Sequence, residues 1–397
     1  MKRPLEGLRV LDMSRVLAGP YTTMILGDLG AEIIKIEMPG SGDDSRSFGP
    51  FIDSESAYFM SINRNKKSVA LNLKIERSKE IIKQLAAKSD ILVENFRPGT
   101  MDRLGIGWDV LKQINPRLIY AAASGFGRTG PYTAKPAYDI IVQGMGGIMS
   151  INGQPDSPPT RVGVSIGDIA AGLYTAVGIL AALEERHSSG LGQLVDVAML
   201  DCQLAILENA LARYLISGEV PGRLGNRHST ITPFTSFSTL DGDMIVGAGN
   251  DAIFVRLCDA IGKQELAQDA RFVTNRDRTE HWESLQQTLE DVFKTRTTDE
   301  WLEKLESLGI PCGPINTIDR VVEDPQVKAR QMLVHVEHPA VGAHTLAALP
   351  VKLSRTPAGI DSPAPVLGQH TEEVLRQLLM YSDEQIDECS EVGCFTA

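Results

Sequence analysis

Asp168 is the residue best placed for chemistry. It stands in Val164-Ser165-Ile166-Gly167-Asp168-Ile169-Ala170-Ala171-Gly172, and the chain then runs apolar to Leu183. Such a pattern puts a carboxylate at the mouth of a nonpolar helix, with glycines that let another group come close. An acid there either caps the helix or reacts. Capping alone is the commoner role, since Asp is among the best N-caps. Other candidates for binding lie on loops. Asn95-Phe96-Arg97-Pro98-Gly99 is a turn with a cation, and Arg103 follows it. Arginine forms bidentate contacts with phosphate, although both could equally be solvated charges. Arg223-Leu224-Gly225-Asn226-Arg227-His228 could meet a carboxylate or be a basic linker.

These groups need a scaffold, and the first ~125 residues read as one. Leu8 to Met13, Glu32 to Glu37, Ser68 to Leu73, Asp90 to Phe96 and Arg117 to Ala123 are strand-like and rich in Ile, Val and Leu. Helical segments such as Glu76 to Lys88 separate them. The alternation predicts an α/β fold with a parallel sheet covered on both faces. Ligands of such sheets collect at the C-terminal strand ends. Those ends carry Ser14-Arg15-Val16-Leu17, Asn95-Phe96-Arg97 and Ser124-Gly125-Phe126-Gly127. No G-x-G-x-x-G fingerprint and no P-loop occur, which disfavours an NAD-dependent oxidoreductase.

Past Asp168 the pattern predicts a helix to about His187, a strand over Gln193 to Ala198 and one long helix over Met199 to Ser217. A large domain is expected over 1–217, a linker over 218–230 and a small α/β domain over 231–325. In the latter, Gly247-Ala248-Gly249-Asn250-Asp251 follows a strand, and Thr297-Thr298-Asp299-Glu300 is a capping box. Residues 326–370 are proline-rich and read as an extended return linker. Residues 371–397 are expected to be C-terminal helices rejoining a large domain, the last capped at Ser382.

The net charge of −12 argues against nucleic acid as a partner but permits a local basic pocket for a small anion. Cys202, Cys258, Cys312, Cys389 and Cys394 form no CxxC pair, so neither a metal cluster nor a disulfide framework is expected, and a reducing cytoplasm fits. The start lacks a signal core, and the apolar run Ile169 to Leu183 is shorter than a membrane span requires. No membrane association is expected.

The ordered segments Leu17-Ala18-Gly19-Pro20, Leu29-Gly30-Ala31-Glu32, Gly42-Asp43-Asp44-Ser45-Arg46, Asn63-Arg64-Asn65-Lys66-Lys67, Glu94-Asn95-Phe96-Arg97-Pro98-Gly99, Pro136-Ala137-Tyr138-Asp139, Gly167-Asp168 and Leu367-Gly368-Gln369-His370 carry a resemblance. Nearly end to end, the chain resembles the class III (CaiB/BaiF-type) CoA-transferases, in pattern most like those using acetyl-CoA or formyl-CoA with oxalate. The resemblance implies a Rossmann-like large domain, a smaller α/β domain, long linkers and an interlocked homodimer. It implies that Asp168 is the nucleophile of acyl transfer, passing through an aspartyl anhydride and an aspartyl-CoA thioester, with CoA thioesters as substrates and no cofactor. A helix N-terminus would keep Asp168 ionised and offer N–H groups to an oxyanion. The implied CoA contacts are Val16, Leu17, Leu71, Asn72, Leu73, Lys74, Asn95, Phe96, Arg97, Arg103, Pro136, Ala137, Tyr138 and Asp139. Gly247, Gly249 and Asn250 match a mobile glycine loop, and Arg227 and His228 are candidates for the acceptor.

Leu17 and Met38 depart from the formyl-CoA enzyme, which has Gln and Arg there. The expected reaction moves CoA from acetyl-, succinyl- or formyl-CoA to a small dicarboxylate such as oxalate. An α-methylacyl-CoA racemase would need a His where Tyr138 stands, since tyrosine is a weak base near neutral pH. A catalytically silent CoA-binding protein is the other alternative.

Overall fold

The computed structural model describes residues 2–397, which form two compact units. The first comprises residues up to 148, 161–212 and 325–397; the second comprises 149–160 and 213–324.

The first unit is built on six parallel strands: β1 (Arg9–Asp12), β2 (Glu32–Glu37), β3 (Lys66–Ala70), β4 (Ile91–Glu94), β5 (Ile119–Ser124) and β6 (Leu194–Ala198). Their order in space is β3-β2-β1-β4-β5-β6. That is a doubly wound order, and it reverses direction between β1 and β4, where a crevice opens at the carboxyl ends. Successive side chains serve opposite faces. Leu11, Ile34, Leu92 and Tyr120 join one buried cluster, and Val10, Ile33, Ile91 and Ile119 join another. This double burial explains why the strands read as continuous apolar runs.

Helices cover both faces. α1 (Ala18–Asp28), α2 (Ala57–Ile62), α3 (Glu76–Ala87), α4 (Asp139–Met145), α5 (Ile166–Ser189) and α6 (Met199–Ile206) belong to this unit. Helix α5 is longer than the apolar run suggested. It is the one described helix long and apolar enough to cross a membrane, yet half of its apolar window is buried within the protein. Ala176, Ile179, Ala182 and Leu183 enter the core below the sheet. Glycine at 172 permits the approach of α1: a Cβ there would come within 2.9 Å of the Ala18 carbonyl oxygen. Thr22 Oγ1 instead donates to the Gly172 carbonyl at 3.0 Å.

The helix expected over Met199 to Ser217 is two helices. α6 ends at Ile206, and α7 (Glu208–Ser217) begins with Glu208 at φ 35°, so the chain turns between them. Residues 326–370 also hold more structure than expected. β10 (Leu333–His338) and β11 (Gly342–Ala347), numbered after the second unit's strands, form an antiparallel hairpin. Gly342 at φ 70° makes its turn, and Val336 and Leu346 are buried. The nearby prolines masked this period-two pattern. The last helix, over Asp383–Glu391, carries the expected capping box from Ser382 and Gln385.

The second unit contains an antiparallel sheet of β7 (Phe234–Ser238), β8 (Asp243–Gly247) and β9 (Cys312–Pro314), in the order β9-β8-β7. α8 (Asp251–Ala260), α9 (Trp282–Phe293) and α10 (Thr298–Ser307) supply the rest of its core, with Phe254, Leu289, Phe293 and Trp301 almost fully buried. The Thr297–Glu300 capping box is formed as the sequence predicts.

Candidate active site

Asp168 lies in the first turn of α5, three residues after the N-cap Ser165, whose side chain makes no capping bond. It is therefore inside the helix rather than its cap. Its carboxylate has no hydrogen bond or ion pair among the described residues, in contrast to Asp12, Asp28, Asp43 and Asp139. Only part of Asp168 reaches solvent. Crowding by protein disfavours its charge, the nearby Asp139 adds repulsion, and its pKa is pushed up to about 7. Burial and the like charge of Asp139 both act against the ionised form that the helix N-terminus favours.

Asp139 explains the geometry. It is almost fully buried on α4, and its Oδ1 accepts from the Gly167 N–H at 2.8 Å. Its Oδ2 accepts from Gln143 Nε2 at 2.7 Å. Asp139 thus caps α5 from a different helix and satisfies one of its orphan N–H groups. Glycine at 167 is required by this contact, because a Cβ would lie 2.7 Å from Val142 Cγ2. Asp139 is among the CoA contacts that the resemblance implies; in the structure both of its oxygens are engaged within the protein, where they brace the turn that carries Asp168.

A cavity of about 390 Å³ opens at the carboxyl ends of β1, β2 and β3. Of the expected CoA residues, Leu71, Leu73, Lys74 and Phe96 line it; Arg15, Met38 and Asp43 line it too. Met38, which departs from the formyl-CoA enzyme, gives this wall an apolar side chain. Asn72 faces inward: its Nδ2 donates to the Thr396 carbonyl, and its Oδ1 accepts from the Lys74 N–H.

The loop after β1 is held in an unusual shape. Val16 has φ 67°, a region that β-branched residues rarely enter. Asn95 fixes the loop from across the switch point: its Oδ1 accepts from the Arg15 N–H at 2.8 Å and its Nδ2 donates to the Arg15 carbonyl at 2.7 Å. The Val16 N–H donates to Asp43 Oδ1 at 3.0 Å, and the Arg15 guanidinium lies over the Phe96 ring. Leu17 follows as the buried N-cap of α1. Beneath the loop lies a buried charge network that the sequence reading missed. Lys35 pairs with Asp43 at 2.8 Å, and Lys66 pairs with Asp12 at 3.1 Å. Burial pushes the Lys66 amine down to about 8. The sign of these residues was visible, but not which of them the fold brings together.

Arg97 and Arg103 are exposed. Arg103 donates to Thr100 Oγ1, and Arg97 has no carboxylate partner among the described residues. Both remain available to an anion. Pro136, Ala137 and Tyr138 lead into α4, with Tyr138 exposed at 75%. Tyr58 on α2 was not anticipated. Burial first, then the negative field of Asp168, Asp43 and Asp139, pushes its hydroxyl up to about 12. A further cavity of about 370 Å³ lies at the amino ends of β2 and β3, where Lys67 is already paired with Glu32 and Glu373.

The remaining candidates belong to the second unit. The segment Gly247-Ala248-Gly249-Asn250 is a strand-to-helix turn. The Gly247 N–H donates to the Pro311 carbonyl and the Ala248 N–H to the Pro233 carbonyl. Asn250, not Asp251, caps α8, accepting from the Ile253 N–H at 3.0 Å. Asp251 instead pairs with buried Arg278 at 2.7 Å. Arg227 lies over the Trp282 ring, and burial lowers its pKa. The Thr230 N–H donates to His228 Nδ1, which leaves the proton of the neutral ring on Nε2.

A doubly wound sheet with a cavity at its carboxyl strand ends and an unpaired acid at a helix mouth are features of an α/β enzyme acting on a small molecule. The chain belongs to CoA-transferase family III, whose model matches residues 5–371. It is a CoA-transferase of this family. It is 45% identical over 363 residues to acetyl-CoA:oxalate CoA-transferase of Acetobacter aceti, covering 91% of each protein. It is 40% identical over 392 residues to human succinyl-CoA:glutarate CoA-transferase, covering 98% of this chain and 90% of the human one. In structure it is similar to a CaiB/BaiF-family protein of Brucella suis, with a TM-score of 0.85 and 39% identity, over 95% of this chain and 100% of the other.

Proposed function

We propose that this enzyme moves CoA from an acyl-CoA, with acetyl-, succinyl- or formyl-CoA as donor, to a small dicarboxylate such as oxalate, and that Asp168 is its nucleophile. The observation that carries this reading is the unpaired carboxylate of Asp168. In the proposed sequence, its oxygen attacks the thioester carbonyl, forming an anhydride and releasing CoA thiolate. The thiolate attacks the aspartyl carbonyl, giving an enzyme thioester and the free donor acid. The acceptor carboxylate attacks that thioester and forms a second anhydride. CoA thiolate then takes the new acyl group and restores Asp168. The switch-point cavity would hold the nucleotide end, with Lys74, Arg97 and Arg103 offering cations to phosphate. Oxalate as acceptor is supported by the Acetobacter relative and the longer dicarboxylates by the human one. The second unit's Arg227 and His228 suit an acceptor carboxylate. An interlocked homodimer in the cytoplasm completes the reading.

The test is trapping. Enzyme incubated with acetyl-CoA and quenched with hydroxylamine or borohydride should carry its modification on the peptide containing Asp168. Asp168→Ala should lose exchange by about 10³-fold or more while still binding CoA. A label elsewhere, or an active alanine variant, would refute the nucleophile. An acceptor screen with oxalate, succinate and glutarate that yields no exchange would refute the substrate class.

A further inference from the structure

One buried polar side chain beside Asp168 has no structural employment. Gln203, on α6, is 0% exposed, and neither its Oε1 nor its Nε2 has a hydrogen-bond partner among the described residues. Apart from Asp139, its surroundings are mostly apolar. Met199 and Cys202 on the same helix pack with Val142, Ala170 and Ala171. Leaving a carboxamide unpaired in such a place costs stability, and a Leu or Met would serve the packing better.

Its position gives the orphan a meaning. A Cβ placed on Gly167 would lie 3.0 Å from Asp139 Oδ1 and 3.6 Å from Gln203 Nε2. The amide donor and the capping carboxylate therefore converge on the residue next to Asp168. Gln203 is also held close on its other side: a Cβ on Gly146 would meet Gln203 Cβ at 2.5 Å. The side chain is confined, buried and aimed at the start of α5.

We propose that Gln203 is a positioning residue for acyl transfer: its amide closes onto Asp139 during turnover and keeps the α5 cap intact while Asp168 is acylated and released. The need arises from charge. Acylation converts Asp168 to a neutral acyl derivative, and each release restores an anion beside Asp139. A donor that can engage Asp139 when its neighbour is charged, and let go when it is not, limits movement of the first turn. This inference rests on Asp168 being the nucleophile.

Gln203→Met in the full-length enzyme tests it, using a donor and acceptor pair that the wild type turns over. The expected result is a kcat lower by about tenfold or more, with KM for acyl-CoA within about twofold of wild type. The melting temperature should be unchanged or higher. The pH at which kcat is half-maximal should rise, since Asp139 loses a partner that screens it. An unchanged kcat, or a melting temperature that falls together with kcat, would overturn the proposal, the second by making Gln203 a structural residue. Asp168→Ala run in parallel separates the two readings. If it stays active the nucleophile reading fails, whereas an inactive alanine variant with an unaffected Gln203→Met removes only this inference.

Discussion

At the scale of the residue, the site is governed by two carboxylates with different duties. Asp139 is hydrogen-bonded on both oxygens inside the protein. Asp168 has no such support, and its pKa rises to about 7 through burial and through Asp139. An unfolded Asp titrates near ~3.9. Between those values the folded protein therefore holds a proton that the unfolded chain has lost. By linkage, this residue's contribution to stability falls as pH rises across that window. Asp168→Asn should thus melt higher than wild type at pH 8, and the difference should shrink toward pH 4. A thermal-shift series from pH 4 to 8 measures it, and a gap that does not change with pH would contradict the assigned environment. With Asp168 as the proposed nucleophile, the same titration predicts that the rate of acyl transfer is half-maximal near pH 7 and levels off above it, where the carboxylate is fully charged. Asp168 was legible because an acid among glycines and apolar residues is conspicuous. Tyr58 and Gln203 were not: each is an unremarkable residue in its own segment, and only the fold, which packs α6 on α5 and brings Tyr58 into the field of Asp168, sets it near the site.

At the scale of the element, loops gain their precision from neighbouring strands. The β1 loop stores strain at Val16, a cost of about 1–3 kcal/mol that persists only where the surroundings enforce it. Asn95 enforces it with two bonds to the Arg15 backbone. Asn95→Ala should free the loop and raise KM for acyl-CoA by about tenfold, with a smaller change in kcat. Steady-state kinetics at saturating acceptor would show this, and a fall in kcat at unchanged KM would place Asn95 elsewhere in the cycle. Strand and helix positions were readable because apolar periodicity reports them directly. β2 falls on Glu32–Glu37 as expected, and α3 ends one residue early. The break at Glu208 and the hairpin after Met332 were hidden. A left-handed glutamate has no composition signal, and prolines around Leu333–Ala347 mimic an extended linker.

At the scale of the whole molecule, helix α5 poses the remaining question. Its inner face fills the core, but Leu173, Tyr174, Val177 and Leu180 are 38–60% exposed along the other face. Their spacing places them on one stripe. Contiguous exposed apolar surface of this kind marks a contact face. The interlocked homodimer proposed above would cover it with a second copy, in keeping with the isologous interfaces that most oligomers use. Light scattering on the purified protein in detergent-free buffer should then give twice the chain mass of 43.2 kDa. Val177→Asp, at the most exposed position of the stripe, would set a charge in the middle of that interface. It should produce monomer or aggregate and reduce exchange activity in proportion to dimer lost. A protein that runs as a monomer with full activity would leave the stripe without this explanation. A variant that remains dimeric would move the interface to another face.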